Sequence, residues 1–297
     1  MENNLNSKID FAAVITVEDA NPNGDPLNGN RPRQHYDNTG FITPVCIKRK
    51  IRNRLQDMGK EILIQQNDRS TDGFNNIKDR LKSVPEIKES LTNNNDDEII
   101  KLSCEKYEDV RAFGATLALS KTKGKGKSDS NDKGISIGIR GPVTVQQAKS
   151  VGSVDIESNQ ITKSTTIASD SNKSDTMGMM HSVRFGVYVI KGSINPVIAQ
   201  RTGFSDADAE DIKEAVRTLF ENDESSARPA GSMSVYKLFW AKQPADDIKY
   251  STKDILDRVI VKAKDPDEIP ESIDDFDIFV NKDQLDSDVN IEVVDGF

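Results

Sequence analysis

The chain has 297 residues, a length that suits one large domain with insertions or two small domains. Hydrophobic residues make up 35% of the sequence, and no apolar run approaches the roughly 18–20 residues of a membrane span, which excludes an integral membrane protein. Residues 1–8 are rich in asparagine and have no apolar core. We therefore expect no secretory signal and a cytoplasmic location.

The net charge of −9 argues at first against nucleic acid as a ligand, but the charge is unevenly distributed. Residues 246–297 hold 16 acidic and 6 basic residues, a local balance of −10, and we expect their acids to form a solvated or partner-facing surface. Residues 30–60 hold 8 basic and 2 acidic residues, a balance of +6 over one turn and one helix. Such a patch can bind a polyanion, although a solvated helix face would carry the same charges.

Motifs for cofactors and catalysis are weak. Two cysteines and two histidines make neither a disulfide framework nor a zinc pattern. Gly126-Lys127-Ser128 lacks the earlier glycine that a P-loop requires, and the acidic tail lacks calcium-loop spacing. Because no carboxylate pair or histidine–nucleophile arrangement stands out either, we predict no catalytic residue, no metal and no cofactor.

Residues 9–17 (IDFAAVITV) form a near-continuous apolar run, which predicts a strand buried on both faces. The run leads into a loop of turn residues, NPNGDPLNGNRPR at 21–33. Glycines there allow close approach to a ligand, asparagines donate without charge, and arginines suit phosphate. A turn alone explains the Gly, Asn and Pro residues but not the cations. The candidate RNA-binding residues of this loop are Asn21, Asn23, Gly24, Asn28, Arg31 and Arg33.

A basic helix is predicted after the loop, over about 44–58. Apolar residues such as Ile47 and Ile51 recur at helical spacing, Thr43 can cap the helix, and Pro44 suits its first position. The cations lie on both flanks of the apolar stripe, where they could hold phosphates. They are Lys48, Arg49, Lys50, Arg52 and Arg54.

The remaining chain alternates predicted strands with insertions. Alternating isoleucines at 135–139 predict a second strand that continues toward Val145, and a capped helix follows a third strand at 181–190. The resulting order, strand–helix–strand–strand–helix–strand, predicts an α+β fold with the ferredoxin-like βαββαβ arrangement of RRM domains. Such a fold does not by itself fix the function.

Several long segments resemble one family, in the family's own order. They are VEDANPNGDPLNGNRPR (17–33), VCIKRKIRNRLQD (45–57), IGIRGPVTVQQAKSV (137–151), ITKSTT (161–166), SDTMGMMHSVRFGVYV (174–189) and LFENDESSARPAGSM (219–233). Over about residues 9–241 the chain is similar to the backbone subunit of the type I-C CRISPR Cascade complex, the subtype I-C branch of the seventh Cas protein family.

The resemblance implies a hand-shaped, non-catalytic subunit of a ribonucleoprotein for antiviral defence. Copies would polymerise along the guide RNA (crRNA), with the paired target DNA strand and other Cascade subunits as further partners. An RRM-like palm would carry a helical fingers insertion and a β-hairpin thumb. The segments are 1–59, 134–145 and 183–245 for the palm, 60–133 for the fingers, 146–182 for the thumb, and 246–297 for an acidic C-terminal segment.

The resemblance also adds candidate RNA-binding residues outside the basic patch. They are Arg140, Gln160, Thr162, Lys163, Met177 and Arg228. Within the thumb, apolar side chains among polar residues could act as wedges that interrupt base stacking. The candidates for this role are Ile161, Ile167, Met177 and Met179.

Two other functions stay open. Relatives in RNA-targeting CRISPR complexes cleave RNA with a loop aspartate, and Asp25 keeps a metal-dependent endoribonuclease as an alternative. That alternative requires RNA cleavage to be lost on Asp25→Ala while binding is kept; a turn residue that caps local amides is the simpler interpretation. A protein–protein module whose basic helix is merely surface is the third function, and it predicts no copurifying nucleic acid.

Overall fold

The computed structural model describes residues 5–119, 135–163, 176–265, 268–283, 285–286 and 289–297. The strands are β1 (Ser7–Ala20), β2 (Gly24–Asp25), β3 (Arg31–Pro32), β4 (Thr39–Ile42), β5 (Gly114–Leu119), β6 (Ile135–Arg140), β7 (Val143–Val145), β8 (Ala148–Ser153), β9 (Ile156–Lys163), β10 (Thr176–Ile194), β11 (Met233–Pro244), β12 (Val259–Ala263), β13 (Phe276–Val280) and β14 (Asn290–Asp295). The helices are α1 (Pro44–Asp57), α2 (Ile77–Lys82), α3 (Pro85–Asn93), α4 (Asp96–Lys106), α5 (Glu108–Phe113), α6 (Pro196–Thr202), α7 (Asp206–Arg217) and α8 (Thr252–Leu256).

The central sheet is antiparallel and has the order β14-β11-β1-β10-β8-β4, with β7 and β9 also paired to β10. The predicted burial of the first strand on both faces is confirmed, because alternate residues of β1 enter two different apolar clusters. Phe11 and Ile15 pack toward α1 and α7, and the Phe11 ring stacks on Trp240 with centroids 5.3 Å apart. Val14 packs on the opposite side.

Local capping signals set the ends of α1 and α7. The Thr43 hydroxyl accepts the Cys46 amide at the start of α1, and Pro44 occupies its first turn. Ser205 and Asp208 form a capping box at the start of α7. Both starts were predicted from sequence, because a capping signal depends only on residues a few positions apart.

The acidic C-terminal segment covers the second face of the sheet. Leu256 of α8 and Phe276 of β13 pack against Val14 and Phe239, and β14 pairs with β11. The segment is therefore not only a solvated or partner-facing surface, although its charge favoured that expectation. In RRM domains the sheet face opposite the helices stacks RNA bases. Here that face is covered by the chain itself.

The predicted second strand differs from expectation, because residues 135–145 form two strands rather than one. β6 pairs with β5 in a separate hairpin that packs with α2–α5, whereas β7 pairs with β10 in the central sheet. Gly141 and Pro142 separate the two strands. A Cβ at position 141 would collide with the Ala112 carbonyl oxygen, and a proline cannot donate a ladder hydrogen bond.

Residues 146–182 contain one strand of the central sheet, β8, and the two arms of a hairpin, β9 and the start of β10. β8 lies between β10 and β4, while β9 pairs with the first half of β10, from Thr176 to Val183. Residues 164–175, which include the predicted wedge Ile167, and residues 120–134 lie outside the described residues. No helix in the described part of the chain is long and apolar enough to span a membrane.

Candidate nucleic-acid interface

Three of the predicted loop residues shape the loop itself. Asn21 is 4% exposed, and its side-chain amide donates to the Asn30 carbonyl at 2.7 Å. The Asn23 side-chain oxygen accepts the Thr43 amide at 2.9 Å, which ties the loop to the start of α1. A Cβ at Gly24 would overlap the Asn30 side chain, so this glycine serves a close approach within the loop.

Asp25 behaves as a turn residue, as the simpler interpretation predicted. Its carboxylate accepts the Leu27 amide at 3.2 Å and lies 3.4 Å from Arg33. Asn28 is exposed beside Leu27, whose side chain is 98% exposed at the loop's tip.

The cations of α1 are largely committed to partners within the protein. Lys50 is only 5% exposed and forms an ion pair with Asp223, and Arg54 pairs with Glu221. The Arg52 guanidinium donates from Nε to the buried Asp109 carboxylate at 2.9 Å. The expectation of two cationic flanks open to phosphates therefore differs from what the structure shows.

Lys48 and Arg49 are half-buried on the same helix. The Lys48 ammonium lies 5.2 Å from the centre of the Phe113 ring, and Arg49 donates to the Ile64 carbonyl at 2.6 Å. Burial, followed by the nearby charge of Arg52, lowers the pKa of Lys48. Both side chains remain partly exposed to solvent, but each already contacts another group of the protein.

Arg228 lies beside the start of the loop, since the Asn21 amide donates to the Ala227 carbonyl at 2.8 Å. Arg228 donates to Asp223 at 3.0 Å, so one carboxylate serves both Arg228 and Lys50. Arg140 ends β6 with an exposed side chain, opposite Gly114 in the ladder. Its exposure leaves it able to meet a ligand.

One face of the β9–β10 hairpin brings several predicted residues together. In the ladder Ser158 lies opposite His181, Gln160 opposite Met179, and Thr162 opposite Met177. Because alternate residues share a face of a strand, all six side chains lie on one side. Arg31 of β3 joins this side, since its Nη1 donates to Ser158 Oγ at 2.8 Å. We call these seven residues the hairpin face.

The hairpin face combines exposed methionine side chains with polar side chains. Met177 is 68% exposed and Met179 is 54% exposed, whereas Ile161 packs over Gly178 on the opposite side. The side chain of Lys163 is outside the described part of the structure. Ser158 and His181 were missed in the sequence, although the alternation of Met177, Met179 and His181 could have placed the histidine on this face.

A cleft of about 970 Å³ lies between α4–α5 and α6–α7, away from the hairpin face. Carboxylate oxygens of Glu108, Asp208 and Asp211 come within 4.8 Å of one another there. Arg111 donates to Asp208 at 2.7 Å, Ser205 also donates to Asp208, and Lys60 pairs with Asp211. Burial, with the like charges of Asp211 and Asp208, raises the pKa of Glu108 to about 7. Because the Asp208 oxygens already accept from Arg111 and Ser205, the cluster is a charge network that joins α5 to α7.

Comparisons with known proteins agree on one family. Residues 7–281 match the family model described as CRISPR-associated protein Cas7. A protein of that name from Haloferax volcanii is 28% identical over 227 residues, which cover 73% of this chain and 65% of that protein. The chain thus spans slightly less than two thirds of the length of this relative.

Two solved chains of complexes titled "CRISPR RNA-guided surveillance complex", one of them pre-nicking, each align with 79% of the chain. They are 16% and 14% identical to it, with TM-scores of 0.44 and 0.40, and 75% and 68% of their own lengths are covered. The family model matches nearly the whole chain. The chain therefore belongs to the family of CRISPR-associated protein Cas7.

Proposed function

We propose that the chain is a non-catalytic crRNA-binding backbone subunit of a type I-C Cascade surveillance complex. Copies polymerise along the crRNA in the cytoplasm, contact other Cascade subunits and present the guide to the target DNA strand. Membership of the Cas7 family supports this proposal. The observation that carries it is the hairpin face, which joins the loop at 21–33 to the hairpin through Arg31 and Ser158.

The chemistry of the hairpin face suits a nucleic-acid strand. The Arg31 guanidinium at its base offers forked donors for a phosphate. Exposed Met177 and Met179 can contact the faces of bases, because a thioether packs well against aromatic rings. Gln160 and Thr162 stand opposite these methionines and can donate hydrogen bonds.

The sheet order supports an RRM-like palm. β11, β1, β10 and β7 are neighbours in that order, α1 follows β1, and α7 follows β10. Because the C-terminal segment covers the sheet face opposite the helices, RNA would run along the loop and the hairpin instead. We assign the helices α2–α5 with β5 and β6 to the fingers, and the β9–β10 hairpin to the thumb.

Removing exposed cations should weaken RNA binding without regard to sequence. We expect Arg31→Ala and Arg140→Ala each to reduce the slope of log affinity against log salt by about 0.7 unit, the single-strand value per phosphate contact, because fewer counterions are then released on binding. Fluorescence anisotropy with unrelated single-stranded RNAs measures this slope. Lys101→Ala is the control, since Lys101 is a 62% exposed cation on α4. If both arginine variants kept the wild-type slope, neither Arg31 nor Arg140 would contact an RNA phosphate.

Assembly should follow the length of the RNA. A subunit that repeats along a strand needs a contact between two different surfaces, and such contacts build open filaments when they do not close into a ring. Mixing the chain with RNAs of increasing length should give complexes whose mass rises in regular steps, measured by native mass spectrometry. One fixed mass for all lengths would contradict the backbone role.

A further inference from the structure

The Ser158 hydroxyl lies between a guanidinium and an imidazole at the base of the hairpin. Arg31 Nη1 is 2.8 Å from Ser158 Oγ, and His181 Nδ1 is also 2.8 Å from it. Arg31 comes from β3, Ser158 from β9 and His181 from β10, so three strands converge on one oxygen. Arg31 and His181 are half-buried, and Ser158 is exposed.

The donor and acceptor roles in this group follow from its chemistry. A guanidinium has no acceptor, so Ser158 Oγ accepts from Arg31, and its own hydrogen donates to His181 Nδ1 in the tautomer whose ring hydrogen is on Nε2. A neutral imidazole whose Nδ1 accepts carries its hydrogen on Nε2, and a protonated imidazole carries one there as well. His181 Nε2 is therefore a donor in either state.

We propose that Arg31, Ser158 and His181 form one phosphate-binding site at the base of the hairpin. Ser158 is its positioning residue, and Arg31 and His181 Nε2–H supply the donors that contact the ligand. Arg31 Nη1 and His181 Nδ1 both contact the Ser158 hydroxyl oxygen, so the guanidinium and the imidazole lie side by side on the hairpin face and present their remaining N–H groups to the sugar–phosphate backbone of one strand. The inference rests on the proposed function, because the phosphate we assign to the site is a phosphodiester of the bound RNA.

Nuclear magnetic resonance of the histidine nitrogens tests the arrangement without RNA. In the wild-type chain His181 should show Nδ1 as the acceptor and Nε2 as the protonated nitrogen, and Ser158→Ala should remove the acceptor signature at Nδ1 while Ser158→Thr keeps it. Wild-type spectra in which Nδ1 carries the hydrogen of a neutral ring would overturn the proposed roles.

RNA affinity tests the function of the site. We expect Ser158→Ala and His181→Phe each to weaken binding of single-stranded RNA roughly fivefold, and Arg31→Ala roughly tenfold, because hydrogen bonds to charged groups are among the stronger ones. Adding Ser158→Ala to the double variant Arg31→Ala/His181→Phe should weaken binding by less than about twofold, since the hydroxyl acts through these two side chains. Ser158→Thr should restore the affinity. Asn159→Ala is the matched control, because Asn159 lies on the same strand and faces the other side.

The possible outcomes separate the two proposals. A wild-type chain that binds no RNA overturns the proposed function and this site with it. A wild-type chain that binds RNA, with Ser158→Ala and His181→Phe unchanged, overturns the inference alone. Inorganic phosphate at millimolar concentration should compete only weakly if the ligand is a phosphodiester on a strand; tight binding of free phosphate would assign the site to a small anion instead.

Discussion

Replacing Asp109 with alanine should lower the free energy of unfolding by about 3–5 kcal/mol, the range for breaking a buried ion pair. Asp109 is fully buried, and its carboxylate accepts the Leu63 amide at 2.8 Å, the Ile64 amide at 3.2 Å and Arg52 Nε at 2.9 Å. The substitution leaves a mostly buried guanidinium and two backbone amides without their acceptor. Urea denaturation followed by circular dichroism measures the change.

Urea denaturation of an Arg52 variant tests whether this residue stabilises the fold or binds RNA. We expect Arg52→Ala also to destabilise the fold, because the Asp109 charge loses its cationic partner. Glu89→Ala is the control, since Glu89 is an exposed carboxylate on α3, and it should change stability by less than about 0.5 kcal/mol. If Arg52→Ala instead weakened RNA binding at unchanged stability, Arg52 would be an RNA ligand and not an anchor of α1.

The partners of the α1 cations show where a sequence pattern stops being informative. The pattern located α1 and its cap, because both depend on residues within a few positions. The pattern also located the cations of α1 correctly. The carboxylates that pair with them belong to Asp109, Glu221 and Asp223, which lie far along the chain. A local charge balance cannot register partners that only the tertiary fold brings near.

The hairpin face shows the opposite case. Gln160, Thr162 and Met177 were candidate RNA-binding residues through the family resemblance alone, and the ladder places them on one side with Arg31. Strand alternation carries this information in the sequence, because its period of two is strict. The same alternation places Ser158 beside Gln160 and Thr162, but its contact with Arg31 depends on a hairpin meeting a distant loop and could not be found in this way.

The C-terminal segment was predicted least well. Its acidic residues dominate its composition, yet Phe276, Ile278 and Val280 alternate with Asp277 and Phe279 and pack onto or beside the sheet. A strand needs only every second residue to be apolar, so a segment can be strongly acidic and still bury a face. Charge balance alone therefore misjudged its structural role.

The stability of the chain should depend on pH through Glu108. Its side chain is 3% exposed, and burial with the nearby charges of Asp211 and Asp208 raises its pKa to about 7. The folded chain therefore holds this proton between about pH 4.5 and pH 7, where the unfolded chain has released it. It follows that the contribution of Glu108 to the free energy of unfolding falls as pH rises through this window. Above pH 7 the cost of the buried charge is fully present.

Glu108→Gln removes that cost because a glutamine stays neutral. Relative to wild type, we expect the variant to gain about 3 kcal/mol in the free energy of unfolding at pH 8 and close to nothing at pH 4.5. Urea denaturation of both proteins across this range measures the difference, which cancels the titration of all other carboxylates. Glu105→Gln is the matched control, since Glu105 lines the same cleft with an exposed side chain and should show no such trend. A Glu108→Gln variant less stable than wild type at pH 8 would instead mean that the attraction of Lys60 and Arg111, each 4.0 Å from Glu108 Oε2, outweighs the burial of the charge.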